Sequence, residues 1–206
     1  MAFKSSGIDL VISSEGSFGP HPSVPFLPGN EEILLLKDFK NDVEILVHSV
    51  SFETNFASFD SRKKEDVSLF LQQVKFPSHA LIARKSADSL EDIFKGLSDH
   101  DELQKAIQFL EKKYGTYHLE TDMRAHLNPT RMIHIEQLTS RLIEKMKSNC
   151  PNCNTPGYAV EEVMRGLPCE NCAAPTRSVR QHIYLCKKCK FTQNLDFPNG
   201  KEFEDP

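Results

Sequence analysis

All six cysteines of this 206-residue chain lie beyond residue 149, in three pairs of one spacing. They are Cys150/Cys153 in CPNC, Cys169/Cys172 in CENC and Cys186/Cys189 in CKKC. Two residues between cysteines let a tight turn aim both sulfurs at one ion, and two such pairs complete a tetrahedral zinc site. Fifteen residues separate the first pair from the second and thirteen the second from the third, gaps that suit ribbon-type hairpins. The opening stretch MAFKSSGIDL has no long apolar run or cleavage site, so the chain reads as cytoplasmic. In that compartment regular CxxC pairs favour metal over disulfides.

Six thiols exceed the needs of one zinc, so one or two structural ions are expected. The pairing of the three motifs stays open, and His182 is the nearest candidate to complete a second site. Four thiolates leave no open coordination position, which makes such a zinc structural rather than catalytic. It would stabilise a module too small for a large core. Between Cys172 and Phe191 the module carries Arg177, Arg180, Lys187, Lys188 and Lys190 with Tyr184 and Phe191 interleaved, and no acid. That is a candidate nucleic-acid contact, offset by the acidic tail DFPNGKEFEDP.

Upstream, 39% apolar and 26% charged residues predict a packed core. A net charge of −4 argues against a protein that coats nucleic acid non-specifically, and no apolar run is long enough for a membrane span. GIDLVISS reads as a strand, and EGSFGPHPSVPFLPGN, rich in Gly and Pro, as a loop. EEILLLKDF and VEILVHSVSF flank KND as a hairpin. Helices are predicted in SRKKEDVSLFLQQVKF, stopped by Pro77, and in LSDHDELQKAIQFLEKKYG, with Ser98 or Asp99 as cap and Gly115 past its end. SHALIARKS reads as a strand between them. In NPTRMIHIEQLTSRLIEKMKSN, Met132, Ile135, Leu138, Leu142 and Met146 form one apolar stripe, read as core packing. The expected fold is an α/β or α+β mixed-sheet domain over 1–130, a connecting helix over 131–148, and a zinc ribbon with acidic tail over 149–206.

ETDMRAHLNP puts Glu120, Asp122, Arg124, His126 and Asn128 on every second position. Read as a strand, it lines one face with polar groups. Glu120 and Asp122 become candidate cation ligands or acid/base groups, Arg124 and Arg131 an anion clamp, and His126 a proton shuttle. Asn128 is equally a helix cap. In SSEGSFGPHP, Gly16 and Gly19 permit close backbone approach, free N–H groups of the turn bind anions, and Glu15 at a strand end suits Mg²⁺ or water activation. No G-K-[ST] follows, so it is not a P-loop. Asn55 and His79 are further polar residues near strand ends, most simply read as local hydrogen bonding. No Ser/His/Asp or Cys/His triad can be assembled from spacing.

SEGSFGPHP, NEEILLL, TNFA, FPSHALI, ETDMRAHLNPTRM and CPNC…GLPCENC together resemble a bacterial family known as a domain of unknown function with a C-terminal zinc ribbon. The resemblance covers nearly the whole chain. It marks Glu15, His21, Asn55, His79, Glu120, Asp122, Arg124, His126, Asn128 and Arg131 as positions to watch; with Ser14, Gly16 and Ser17 of the glycine turn they make the candidate site, in which Glu15, Asp122 and His126 are the candidate catalytic groups. Family members look longer at the N-terminus, with a T-K-H-G-K-E type motif, so this chain is expected to start partway through the domain. The fuller family is distantly similar to house-cleaning nucleoside triphosphate pyrophosphatases. That implies a phosphate-bearing ligand and Mg²⁺-assisted hydrolysis of a phosphoanhydride, with Glu15 helping to hold the Mg²⁺. The alternative is a non-catalytic ribbon that binds nucleic acid or a protein partner.

Overall fold

The computed structural model describes residues 7–63 and 65–205. Residues 1–6, on which the expectations about a leader and a shortened start rest, lie outside the described residues. Among the described residues ten strands run in the order β1 (Leu10–His21), β2 (Val24–Asp38), β3 (Val43–Ser51), β4 (Ser58–Asp60), β5 (Leu81–Arg84), β6 (Phe94–Leu97), β7 (His118–Thr121), β8 (Ala159–Arg165), β9 (Val179–Leu185) and β10 (Thr192–Asp196). Three α-helices join them: α1 (Val67–Gln73), α2 (His100–Tyr114) and α3 (Pro129–Lys147). The sheets are ordered β1-β2-β3, β4-β7-β5-β6 and β10-β9-β8. The registered pairs of the last two sheets are all antiparallel. The fold is therefore mixed helix and sheet of the α+β kind, without the parallel sheet of an α/β domain.

The chain divides into two compact units: Met1–Ser13, Leu34–Val47 and Thr139–Pro206 in the first, Ser14–Ile33 and His48–Leu138 in the second. The sequence-based boundaries follow chain order, whereas these units interleave.

The second unit holds a hydrophobic core between its four-stranded sheet and two helices. Helix α2 buries Leu103, Ala106 and Leu110, spaced three and four residues apart on one face. Asp99 caps it, accepting from the N–H groups of Asp101 and Glu102, and Gly115 closes it in the left-handed region at φ 72°. Phe70 and Val74 of the α1 segment pack with Phe59, Leu81, Ala83, Leu97 and Leu119 from all four strands. Burial of such side chains stabilises by about 1.5–3 kcal/mol each.

Three expectations change. The Gly/Pro-rich stretch is no loop: β1 runs to His21, turns at Pro22–Ser23 and returns as β2. The tight turn at Pro22–Ser23 and the close approach of the two strands at Gly29, where an added Cβ would lie 3.0 Å from the His21 Cα, override the loop-forming composition. Glu15 consequently sits inside a strand, not at its end. The alternating polar segment is a strand only to Thr121; residues 125–127 then form a 3₁₀ turn. Asn128-Pro129 opens α3, and the helix start wins over the period-two pattern. In the stripe on α3, Leu138 and Leu142 are buried while Met132 is exposed.

Candidate metal centre and polar cluster

In the first unit, two turns of identical backbone construction bring four sulfurs together. Cys150 N–H donates to the Thr155 carbonyl and Asn154 N–H to the Cys150 carbonyl, at 2.9 and 2.8 Å. Cys186 N–H donates to the Phe191 carbonyl and Lys190 N–H to the Cys186 carbonyl, each at 2.9 Å. In each turn the residue after the second cysteine is left-handed, Asn154 at φ 57° and Lys190 at φ 63°. The Sγ atoms of Cys150, Cys153, Cys186 and Cys189 all lie within 4.8 Å of one another. Two of the separations, Cys150–Cys189 and Cys153–Cys186, are 3.6 Å. A tetrahedron with metal–sulfur bonds of about 2.3 Å has edges of about 3.8 Å, so the four thiols are spaced to hold one ion. The first and third motifs thus share a site.

The surroundings polarise the thiols. Burial pushes Cys150 up to about 11. A hydrogen bond from the Asn152 amide, aided by the Phe191 N–H, draws Cys189 down to about 6. Cys153 is also lowered, mainly by Thr155, whose Oγ1 lies 3.2 Å away. Tyr158, Tyr184 and Phe191 pack around the buried Cys150 and Cys186. All six cysteines are free thiols. His182 is not gathered with Cys169 and Cys172: among the described residues, the four thiols are the group of metal-binding side chains found. The expected role of His182 as a completing ligand is therefore not supported; it is held within β9, opposite Val163 of β8 and Leu195 of β10. Of the basic stretch, Lys187 pairs with Glu161 at 3.2 Å.

In the second unit the predicted polar residues form internal pairs. Asp122 is 1% exposed and accepts from the Arg124 guanidinium at 2.6–3.2 Å and from the Gly96 N–H at 3.1 Å. Burial alone would raise its carboxyl, but the hydrogen bonds from Arg124 and Gly96 win and lower it. Glu120 pairs with Arg84. Arg131 is held by three groups. Its Nε donates to Glu32 Oε1 and its Nη1 to the Met123 carbonyl, both at 2.6 Å, and the Phe18 ring lies 5.0 Å from its Cζ. Glu32, 2% exposed, was not singled out from sequence, although it shares the buried face of β2 with Leu34 and Leu36. Gly16 borders this pair: a Cβ there would lie 2.2 Å from Arg131 Nη2 and 2.9 Å from Glu32 Oε1.

Asn128, fully buried, is the cap. Its Oδ1 accepts from the Arg131 N–H at 3.0 Å, and its Nδ2 donates to Asn55 Oδ1 at 2.8 Å. His79 Nε2 accepts from the Thr130 N–H at 3.2 Å, and its Nδ1 is 3.0 Å from Ser78 Oγ. An accepting Nε2 requires the proton on Nδ1, and burial lowers the pKa of this imidazole. These two side chains satisfy N–H groups that the first turn of α3 leaves open.

Of the predicted site residues, the structure brings together Gly16 and Arg131, Asp122 and Arg124, Asn55 and Asn128, and places His79 on the same helix start. Ser14, Glu15 and Ser17 are exposed on β1, His126 is exposed on the 3₁₀ turn, and His21 is buried, stacked on Phe52 at 3.7 Å. Among the described residues no hydrogen bond or ion pair joins Glu15 to Arg124, whose donors face Asp122 instead. Beside Asn55 and Thr130 opens a hollow of about 450 Å³, whose lining includes Phe52, Glu53, Phe56, Lys75 and His134. His134 Nε2 donates to the Glu53 carbonyl at 2.6 Å. Lys75 carries a left-handed backbone at φ 60°, and sequence gives little warning of it.

A family model described as a domain of unknown function, DUF6671, matches residues 1–206. No curated protein and no solved structure matches the chain.

Proposed function

The chain belongs to the DUF6671 family, and on that footing we propose that it is a zinc-stabilised protein that binds a small anionic molecule. The spacing of four thiols, with 3.6 Å sulfur separations, supports zinc, which takes thiolates in a closed tetrahedral set. Such a centre is structural. The functional reading rests on one observation: the hollow of about 450 Å³ in the second unit. That volume suits a small ligand. The Lys75 ammonium supplies a positive charge on a lining that also carries Glu53, the Asn55 amide and Thr130 hydroxyl add polar groups held in place by Asn128, Val74 and His79, and Phe52 and Phe56 offer flat apolar walls. A phosphate-bearing molecule with a planar ring, such as a nucleotide, fits that set of groups. The left-handed backbone at Lys75 closes α1, with the Phe76 N–H donating to the Leu71 carbonyl at 3.0 Å and the Lys75 N–H to the Gln72 carbonyl at 3.1 Å, and this fixes Lys75 at the edge of the hollow.

The reading is one of binding. Of the candidate Mg²⁺ ligands, Asp122 and Glu120 are engaged by Arg124 and Arg84, and Glu15 lies exposed on β1, outside the residues that line the hollow. Thermal unfolding with AMP, ATP and inorganic phosphate, each with and without Mg²⁺, tests it. A nucleotide is expected to raise the melting temperature, and Lys75→Ala, an exposed position, to weaken binding roughly tenfold or more. Absence of any shift across these probes would overturn the reading.

A further inference from the structure

The middle cysteine motif has the same build as the two that converge. Cys169 N–H donates to the Ala174 carbonyl and Ala173 N–H to the Cys169 carbonyl, each at 2.9 Å. These match, position for position, the bonds of the turns at Cys150 and Cys186. The residue after its second cysteine is again left-handed, Ala173 at φ 57°. Alanine gains nothing there: its Cβ makes that conformation cost roughly 1–2 kcal/mol, and no local side-chain hydrogen bond offsets it. The turn keeps the shape that aims two sulfurs at one ion.

Yet the pair stands apart from the four-thiol group, and among the described residues no third His, Cys, Asp or Glu joins it. Two thiolates are half of a tetrahedral zinc site. A zinc held by this pair takes its other donors from beyond the described residues. The motif is open to that: Cys172 is exposed and Cys169 half-buried. A mixed surface lies beside it, where Pro168, Ala173, Pro175 and Phe203 line one hollow together with the charged Arg180 and Glu202, and Phe203 is 52% exposed. The C-terminal segment holds this rim in place, with Glu204 N–H donating to the Pro168 carbonyl at 2.9 Å and Glu170 N–H to the Glu204 carbonyl at 3.0 Å.

We infer that Cys169 and Cys172 form half of a second zinc site, completed by the same pair from a second copy of the chain. A two-fold axis through the ion satisfies tetrahedral coordination with four thiolates and closes the assembly at a dimer. The rim then meets its own copy across the axis, where a two-fold can set Arg180 of one copy towards Glu202 of the other and Phe203 towards Phe203. Each zinc that enters displaces the protons of four thiols, and nothing is oxidised.

The inference goes beyond the zinc reading above but rests on the same chemistry, and one count separates the two. Native mass spectrometry of the full chain purified with zinc is expected to show a dimer, twice the 23.4 kDa chain mass, carrying about three zinc ions, or about 1.5 per chain. Cys169→Ser/Cys172→Ser is expected to give a monomer with about one zinc per chain. A monomer of the unaltered chain with one zinc would overturn the shared site and leave the four-thiol centre standing. So would a monomer with two zincs, which places the missing donors within one chain, or a Cys169–Cys172 disulfide, which lowers the mass by about two daltons. Absence of zinc altogether would sink both readings. The measurement on the unaltered chain decides the matter even if the double variant fails to fold.

Discussion

Gly16 shows how a single hydrogen in place of a methyl shapes the second unit. Its backbone passes so near Arg131 and Glu32 that a Cβ would overlap the guanidinium. Arg131 is anchored by Glu32 and by the Met123 carbonyl, so the clash is not relieved by swinging the side chain aside. Gly16→Ala is expected to destabilise by about 3 kcal/mol, the lower range for breaking a buried ion pair. Urea denaturation of the variant against the unaltered chain measures this. The sequence marked Gly16 as a point of close approach, which it is, but the partner is internal rather than a bound ligand. Glu32 stayed hidden for the same reason. A carboxylate next to Leu34 and Leu36 in an alternating strand signals burial, but its cation lies 99 residues away, where no local pattern reaches.

Among the elements, α3 depends on side chains that come from outside the helix. His79 accepts from the Thr130 N–H, and only the neutral ring can do so. Burial lowers the pKa of His79 and of His118 from the ordinary 6.5. The unfolded chain therefore binds protons that the folded one refuses. Stability is full above about pH 6.5 and declines as pH falls from there towards the folded values. Unfolding midpoints measured between pH 7.5 and 5.5 are expected to fall, and His79→Gln to flatten part of that slope. Helices were the most legible elements, because caps such as Asp99 and Asn128 and apolar spacing are local signals. The alternating segment after Glu120 misled because a period of two is shared by strands and by chance. Pro129, which fixes a helix start, was the stronger cue. Short strands such as Ser58–Asp60 and Phe94–Leu97 carry too few residues for any period to show, so pairing with β7 and β5 defines them.

For the whole molecule, the metal is expected to contribute much of the order in the first unit. Zinc at a hundred times its dissociation constant adds about 2.7 kcal/mol, which is roughly 5–11 °C in a chain of this size. Treatment with EDTA is expected to lower the melting temperature by that amount. Hydrogen exchange should then rise in β8, β9 and β10 while β5 and β7, at the core of the second unit, stay protected. Cysteine spacing pointed to a group of thiols able to hold a metal, but not to which motifs meet, since all three have one spacing. Among the described residues no helix is long and apolar enough to cross a membrane. The convergence of sulfurs at 3.6 Å carries a hazard of its own. Neighbouring thiols that close, one of them readily ionised, couple quickly once an oxidant arrives. Oxidation of two of these thiols to a disulfide would leave too few sulfurs for a four-thiolate site, so an ion seated there first would also shield them from that fate.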